Sequence, residues 1–122
     1  MKNLIIFYIK INGFSPAEEF INGLPEKHKA KALREIDLLQ EYGSNLKEPY
    51  ADRVTGARYK GLWELIIKFA SDISRIFYFI PEGKVFILLH GFVKKSKKTP
   101  EKELETALRY MNECRGRIDN EL

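Results

Sequence analysis

Leu4 to Ile11 is a run rich in isoleucine, phenylalanine and tyrosine that reads as a β-strand, and Asn12-Gly13 breaks it. Ser15-Pro16-Ala17-Glu18 then signals a helix start: Ser15 caps, Pro16 takes the first helical position and Glu18 completes a capping box. Asn22-Gly23 stops this short helix. Pro25 opens a second one that runs to about Tyr42 and ends at Gly43. Ala32, Leu33, Ile36, Leu39 and Tyr42 recur near helical spacing, so they predict the face that packs down and, with the first helix, a helical hairpin.

Ser44 to Gly56 is polar, contains Pro49, and reads as a loop. Three strands are predicted after it, over Tyr59 to Phe69, Ser74 to Ile80 and Lys84 to Val93. Ser71-Asp72 and Pro81-Glu82-Gly83 separate them, which makes an antiparallel meander. Lys94 to Thr99 is a basic loop. Thr99 as cap and Pro100 at the first position then start a last helix with Leu104, Ala107, Leu108 and Met111 as its apolar stripe. The charged tail, about 115–122, is expected to fray. The order is strand, two helices, three strands, helix: a single α+β domain over 1–122, with the helices packed mainly on one face of the sheet.

The chain has 122 residues, 44% hydrophobic and 31% charged, the balance of one globular domain. No apolar run approaches the roughly 20 residues of a membrane span. The apolar start lacks a small-residue cleavage site and is interrupted by Lys10, so a strand is expected there rather than a signal peptide. Cys114 is the only cysteine, which rules out an intramolecular disulfide and a thiolate-rich metal site. A cytoplasmic protein is expected, with Cys114 inert near a helix end. His28 and His90 make no local ligand motif, and the chain has no phosphate-cradling glycine loop and no serine-nucleophile elbow. No metal or cofactor is expected.

Net charge is +4, but its distribution says more. Lys47 to Lys98 carries eleven Lys/Arg against five Asp/Glu, a net +6, while the remainder is −2. Charge concentrated in this way favours a polyanionic partner.

Strand alternation places Lys60, Leu62, Glu64, Ile66 and Lys68 on one face and Gly61, Trp63, Leu65, Ile67 and Phe69 on the other, the core face. With Pro81 to Lys84 as the connection, Ile80 pairs with Val85. Phe79 then lies opposite Phe86, Phe77 opposite Leu88, and Arg75 opposite His90. Lys60, Glu64, Lys68, Arg75, His90 and the Lys94-Lys95 loop thereby converge on one partly exposed surface. Cleavage of RNA by its 2′-hydroxyl requires a base, an acid and positive charge for the pentavalent phosphate. Glu64, His90 or a lysine of depressed pKa can move protons, and Arg75 and the lysines can stabilise charge. Phe77, Phe79 or Phe92 can stack a base.

From Gly61-Leu62-Trp63-Glu64-Leu65 onward the chain resembles the HigB-like, phage-derived branch of the RelE/ParE toxin superfamily of type II toxin–antitoxin systems. The resemblance continues through Ser74-Arg75-Ile76-Phe77-Tyr78-Phe79. It is strongest over Leu88-Leu89-His90-Gly91-Phe92-Val93-Lys94-Lys95-Ser96-Lys97-Lys98-Thr99-Pro100, with Glu103 and Ala107 beyond. It implies a ribosome-associated, metal-independent endoribonuclease that cuts translated mRNA. It also implies a cognate helix-turn-helix antitoxin, with operator DNA met only through the antitoxin complex. By motif position Arg75, Lys94 and Lys95 are the implied catalytic residues, joined by Glu64 and His90. Arg58, Lys60, Lys68, Lys97 and Lys98 are the expected RNA-binding residues. One position departs from the pattern: relatives carry arginine directly after Trp-Glu-Leu, where this chain has Ile66. Lys68, Lys60 or Arg58 can replace the missing charge but not arginine's bidentate fork. A ParE-like inhibitor of DNA gyrase and a non-catalytic binding relic of the same fold are the alternatives.

Overall fold

A computed structural model describes residues 2–95 and 97–121; Ser96 of the basic loop and Leu122 of the tail lie outside the described residues. Strand β1 (Leu4–Phe7) is followed by helices α1 (Pro16–Asn22) and α2 (Glu26–Tyr42). Strands β2 (Ala51–Arg53), β3 (Trp63–Phe69), β4 (Asp72–Glu82) and β5 (Val85–Lys94) come next, and α3 (Glu101–Glu121) ends the chain. The sheet order is β1-β5-β4-β3-β2, with β2 to β5 antiparallel and β1 parallel to β5. The α+β class, the N-terminal hairpin and the C-terminal helix agree with the sequence reading.

The helices cover both faces of the sheet, not mainly one. On one face, α1 and α2 bury Ala17, Ile21, Ala32, Ile36 and Leu39 against Leu65, Ile67, Ile76, Tyr78, Phe86 and Leu88. On the other, α3 packs Ala107, Tyr110 and Met111 against Phe77, Phe79, Ile87, Leu89 and Phe92. The uninterrupted apolar run Ile76 to Ile80 explains this, because a strand apolar on both faces has to be covered twice.

Several local expectations change. The Ser15 hydroxyl makes no cap bond but donates to the Tyr8 carbonyl at 2.9 Å, and Glu18 is exposed, so the capping box does not form. Along α2 the buried stripe is His28, Ala32, Glu35, Ile36 and Leu39; Leu33 and Tyr42 face out. The stretch 44–56 contains β2, whose three residues pair with Trp63, Glu64 and Leu65. Thr99 turns its hydroxyl toward Glu64 Oε1 at 3.5 Å, and α3 starts at Glu101. Helix α3 also continues past Arg115, where fraying was expected. The Arg115 guanidinium sits over Phe79, and Arg117 sits over Tyr8 while donating to the Ile9 carbonyl. Cys114 is therefore within the helix, where burial raises its thiol pKa against the smaller opposing effect of Arg117 and Arg115.

The β4–β5 register also departs from the expected pairing. Arg75 lies opposite Phe92, Phe77 opposite His90 and Phe79 opposite Ile87. One irregularity falls between Phe77 and Tyr78, where β5 steps from His90 to Leu88 and leaves Leu89 as an extra residue; a second falls between Phe79 and Glu82, next to the turn. Strand β4 runs through Pro81 to Glu82, which pairs with Val85, so the connection is shorter than the four residues assumed. The bulge puts both Leu89 and His90 on the α3 side and turns Gly91 toward α1, where a Cβ would come within 2.3 Å of the Phe20 ring. Replacing Gly91 with alanine is expected to destabilise the protein by roughly 1–3 kcal/mol through overpacking. Gly116→Ala, in α3 with nothing within 4 Å of the new Cβ, is expected to stabilise it by about 0.5–1 kcal/mol. Urea denaturation of both variants measures the two signs.

Candidate functional site

Paired residues share a face, so the α3 side of the sheet can be read as cross-strand rows. Glu64, Phe77 and His90 form one row; Ile66, Arg75 and Phe92 the next; Lys68, Ile73 and Lys94 the third. Arg75 therefore neighbours His90 diagonally and not directly, with the Phe92–Phe77–His90 stack alongside at centroid distances of 5.6 and 6.3 Å.

Arg75 reaches across to the buried Glu64, and its Nη1 is bonded to Glu64 Oε2. Its Nε is buried without a hydrogen-bond partner. Lys94 stands beside this pair at the end of β5. Burial and the nearby Arg75 guanidinium hold the Lys94 ammonium below the ordinary lysine value, against a weaker pull upward from Glu64. Ser71, Ile73, Arg75, Lys94, Lys95 and Lys97 line one open depression of about 510 Å³. Arg75, Lys94, Lys95 and Lys97 are thus brought together, with Glu64 behind them. Lys68 is exposed and in the same row as Lys94, and Lys98 is exposed on the loop beyond.

The other expected residues lie elsewhere. Lys60 precedes the strand: β3 starts at Trp63, and Gly61 with φ +99° breaks the alternation that would have placed Lys60 beside Glu64. Lys60 lines a different depression, with Arg53 and Trp63. Arg58 makes a bidentate pair with Glu105 of α3, and Tyr59 donates to the same carboxylate at 2.7 Å. These hydrogen bonds hold the Glu105 carboxyl down to about 2. His90 Nε2 meets Glu103 Oε1 at 2.8 Å. Phe77 and Phe79 are fully buried and Phe92 nearly so beneath α3, so no base can stack on them.

Glu103 and Glu105 were absent from the expected site. Each sits in the first turns of α3, where carboxylates favour the positive end of the helix dipole, and that ordinary role hides their second one as partners of His90 and Arg58. Among the described residues no group of three or more His, Cys, Asp or Glu side chains is placed to hold a metal ion. Among the described residues no helix is long and apolar enough to cross a membrane.

The Lys94 environment makes two shifts of opposite sign. Glu64→Gln removes the carboxylate that favours the charged ammonium, so the Lys94 pKa falls further. Arg75→Gln removes a repelling charge, so it rises. NMR titration of the Lys94 side chain checks both directions.

No curated protein matches the chain. A family model described as phage derived protein Gp49-like (DUF891) matches residues 19–112, which takes in the end of α1, all of α2, the β2–β5 meander and the first part of α3. The match contains Glu64, Arg75, His90, Lys94 and the loop after them, together with the α3 carboxylates that hold Arg58 and His90. The chain therefore belongs to the phage-derived Gp49-like family, a RelE/HigB-like toxin family of toxin–antitoxin systems, which implies a cognate antitoxin as its partner.

Proposed function

We propose that this toxin is a ribosome-associated endoribonuclease that cuts mRNA during translation without a metal ion or other cofactor. The observation that carries this reading is the Arg75–Lys94 pair. A guanidinium anchored by a buried carboxylate stands beside an ammonium held below the ordinary lysine value, at an open depression with Lys95 and Lys97. In the reaction, the ribose 2′-oxygen attacks the adjacent phosphorus and gives its proton to a base. The 5′-oxygen leaves with a proton from an acid, so the products are a 2′,3′-cyclic phosphate and a 5′-hydroxyl. Lys94 is the side chain best suited to the proton transfer, because its neutral form is the more accessible. Arg75, Lys95 and Lys97 stabilise the charge that builds on the phosphoryl oxygens. Glu64 orients Arg75, and His90, engaged by Glu103, anchors the start of α3.

Ile66 lies directly opposite Arg75 on the same face, so an arginine there would add a second guanidinium beside the first. Lys68 is one row further along and supplies only a point charge. In this reading the toxin acts in the cytoplasm. A helix-turn-helix antitoxin neutralises it, and it meets operator DNA only through that complex.

Induced expression with mapping of mRNA 5′ ends tests the proposal. Wild type is expected to arrest growth and create new ends within translated frames. Arg75→Ala and the Lys94→Ala/Lys95→Ala pair should each lower cleavage on the order of 100-fold or more, and Ile66→Arg should raise it. Growth arrest without new ends would overturn the nuclease reading in favour of gyrase inhibition. No arrest from any variant would leave a binding relic.

A further inference from the structure

A second surface, on the opposite face of the sheet and at the far end of β3, combines aromatic rings with unpaired cations. Trp63 is the first residue of β3 and is only partly buried. On its inner side it lies nearly parallel to the buried Tyr78, at 6.4 Å and 19°. Above it sits the guanidinium of its register partner Arg53, 5.2 Å from the ring centroid. Arg53 and Trp63 form a shared wall between two depressions. One, of about 520 Å³, extends to Lys60. The other, of about 450 Å³, extends to Lys47. Lys47 also lines a third depression, of about 410 Å³, with Tyr42 and Tyr50. A trough thus follows the β2 edge with cations and aromatic rings interleaved, and both tyrosines are well exposed, 54% and 43%.

The charges of this trough differ from their neighbours. Arg58 is consumed by Glu105, whereas Lys47, Arg53 and Lys60 have no ion-pair partner among the described residues. Two carboxylates, Glu48 and Asp52, line the middle depression, and Asp52 is turned back onto the Arg53 backbone N–H at 2.8 Å. Cations flanking a partly buried indole and the exposed guanidinium above it suit a chain of alternating phosphates and flat bases. Only an unpaired strand exposes base faces for stacking.

We propose that the β2-edge trough binds single-stranded RNA, with a base stacked on the Arg53–Trp63 pair and Lys60 and Lys47 on the flanking phosphates. The choice of RNA rests on the nuclease reading; the geometry of the trough does not. The trough shares no lining residue with the Arg75 depression, so it would hold RNA away from the point of cleavage.

The chain has a single tryptophan, so its emission reports on this trough alone. Adenine and uracil RNA oligomers of roughly eight nucleotides, within the range of single-strand binding sites, are titrated into the full chain. A saturable change in Trp63 emission that weakens with salt is expected. Arg53→Ala with Lys60→Ala, both at exposed positions, should weaken binding roughly tenfold or more. Lys94→Ala/Lys95→Ala/Lys97→Ala, which leaves the buried Arg75–Glu64 pair intact, should leave the emission change within about twofold, as separate sites require. Three outcomes would overturn the proposal: no emission change, a change abolished by the triple lysine variant but not by the Arg53 pair, or an equal change with poly-glutamate, which would mark an acidic protein as the partner. New mRNA ends without oligomer binding would remove the trough and keep the nuclease. Binding without new ends would do the reverse.

Discussion

The pairing of β4 with β5 decides where every side chain of the cluster stands. These two strands lie inside the sheet, apolar on both faces, and each face is closed by helices. A shift of one residue in their ladder would exchange the two cores. The extra residue at Leu89 makes that exchange once, within β5 and on purpose of shape: Val85, Ile87 and Leu89 face α3 before it, and His90, Phe92 and Lys94 face α3 after it. Without the bulge Lys94 would point to the α1 side and Gly91, with no side chain to fill the core, would face α3. The close fit of Gly91 to Phe20 pins this phase from the other face.

Electrostatics on the α3 face follow one theme, in which carboxylates of the chain engage its basic side chains. Glu64 holds Arg75, Glu103 meets His90, and Glu105 holds Arg58. The first is largely buried, and a buried charge left without its partner costs several kcal/mol, about 3–5. Glu64 and Arg75 therefore require each other whatever else they do. The Arg58–Glu105 pair is exposed and contributes little to stability. What it does is fasten the turn before β3 to α3. Lys94 is partly buried and has the Arg75 guanidinium at its side, which is why its ammonium is disfavoured.

Much of this was legible along the chain, and the exceptions have local causes. Alternation in β3 correctly separated Leu65 and Ile67 from Glu64 and Lys68, because a half-buried strand keeps its period of two. The same rule failed at Lys60, where Gly61 leaves the strand conformation. The β4–β5 register was missed because the turn is tighter than Pro81 suggests and because the apolar run Val85 to Leu89 shows no alternation from which an extra residue could be read. Strand β2 was missed because three residues within a polar stretch show no period at all. The position of α3 on the second face was foreshadowed by the double-sided run Ile76 to Ile80. The partners of Arg58 and His90 were not, since their carboxylates look like ordinary first-turn acids.

The two adjacent lysines at the end of β5 differ in one respect that their sequence conceals. The Lys94 backbone is a rung of the ladder, opposite Ile73, whereas Lys95 lies just outside the strand and is exposed. Folding has already spent the backbone entropy of the first and left the second free to range. A ligand that engages both must order two long side chains, at about 0.5–1.5 kcal/mol each, but only at Lys95 must it order the backbone as well. Lys94 is thus a fixed reference point, and Lys95 a tether whose reach adapts to whatever arrives.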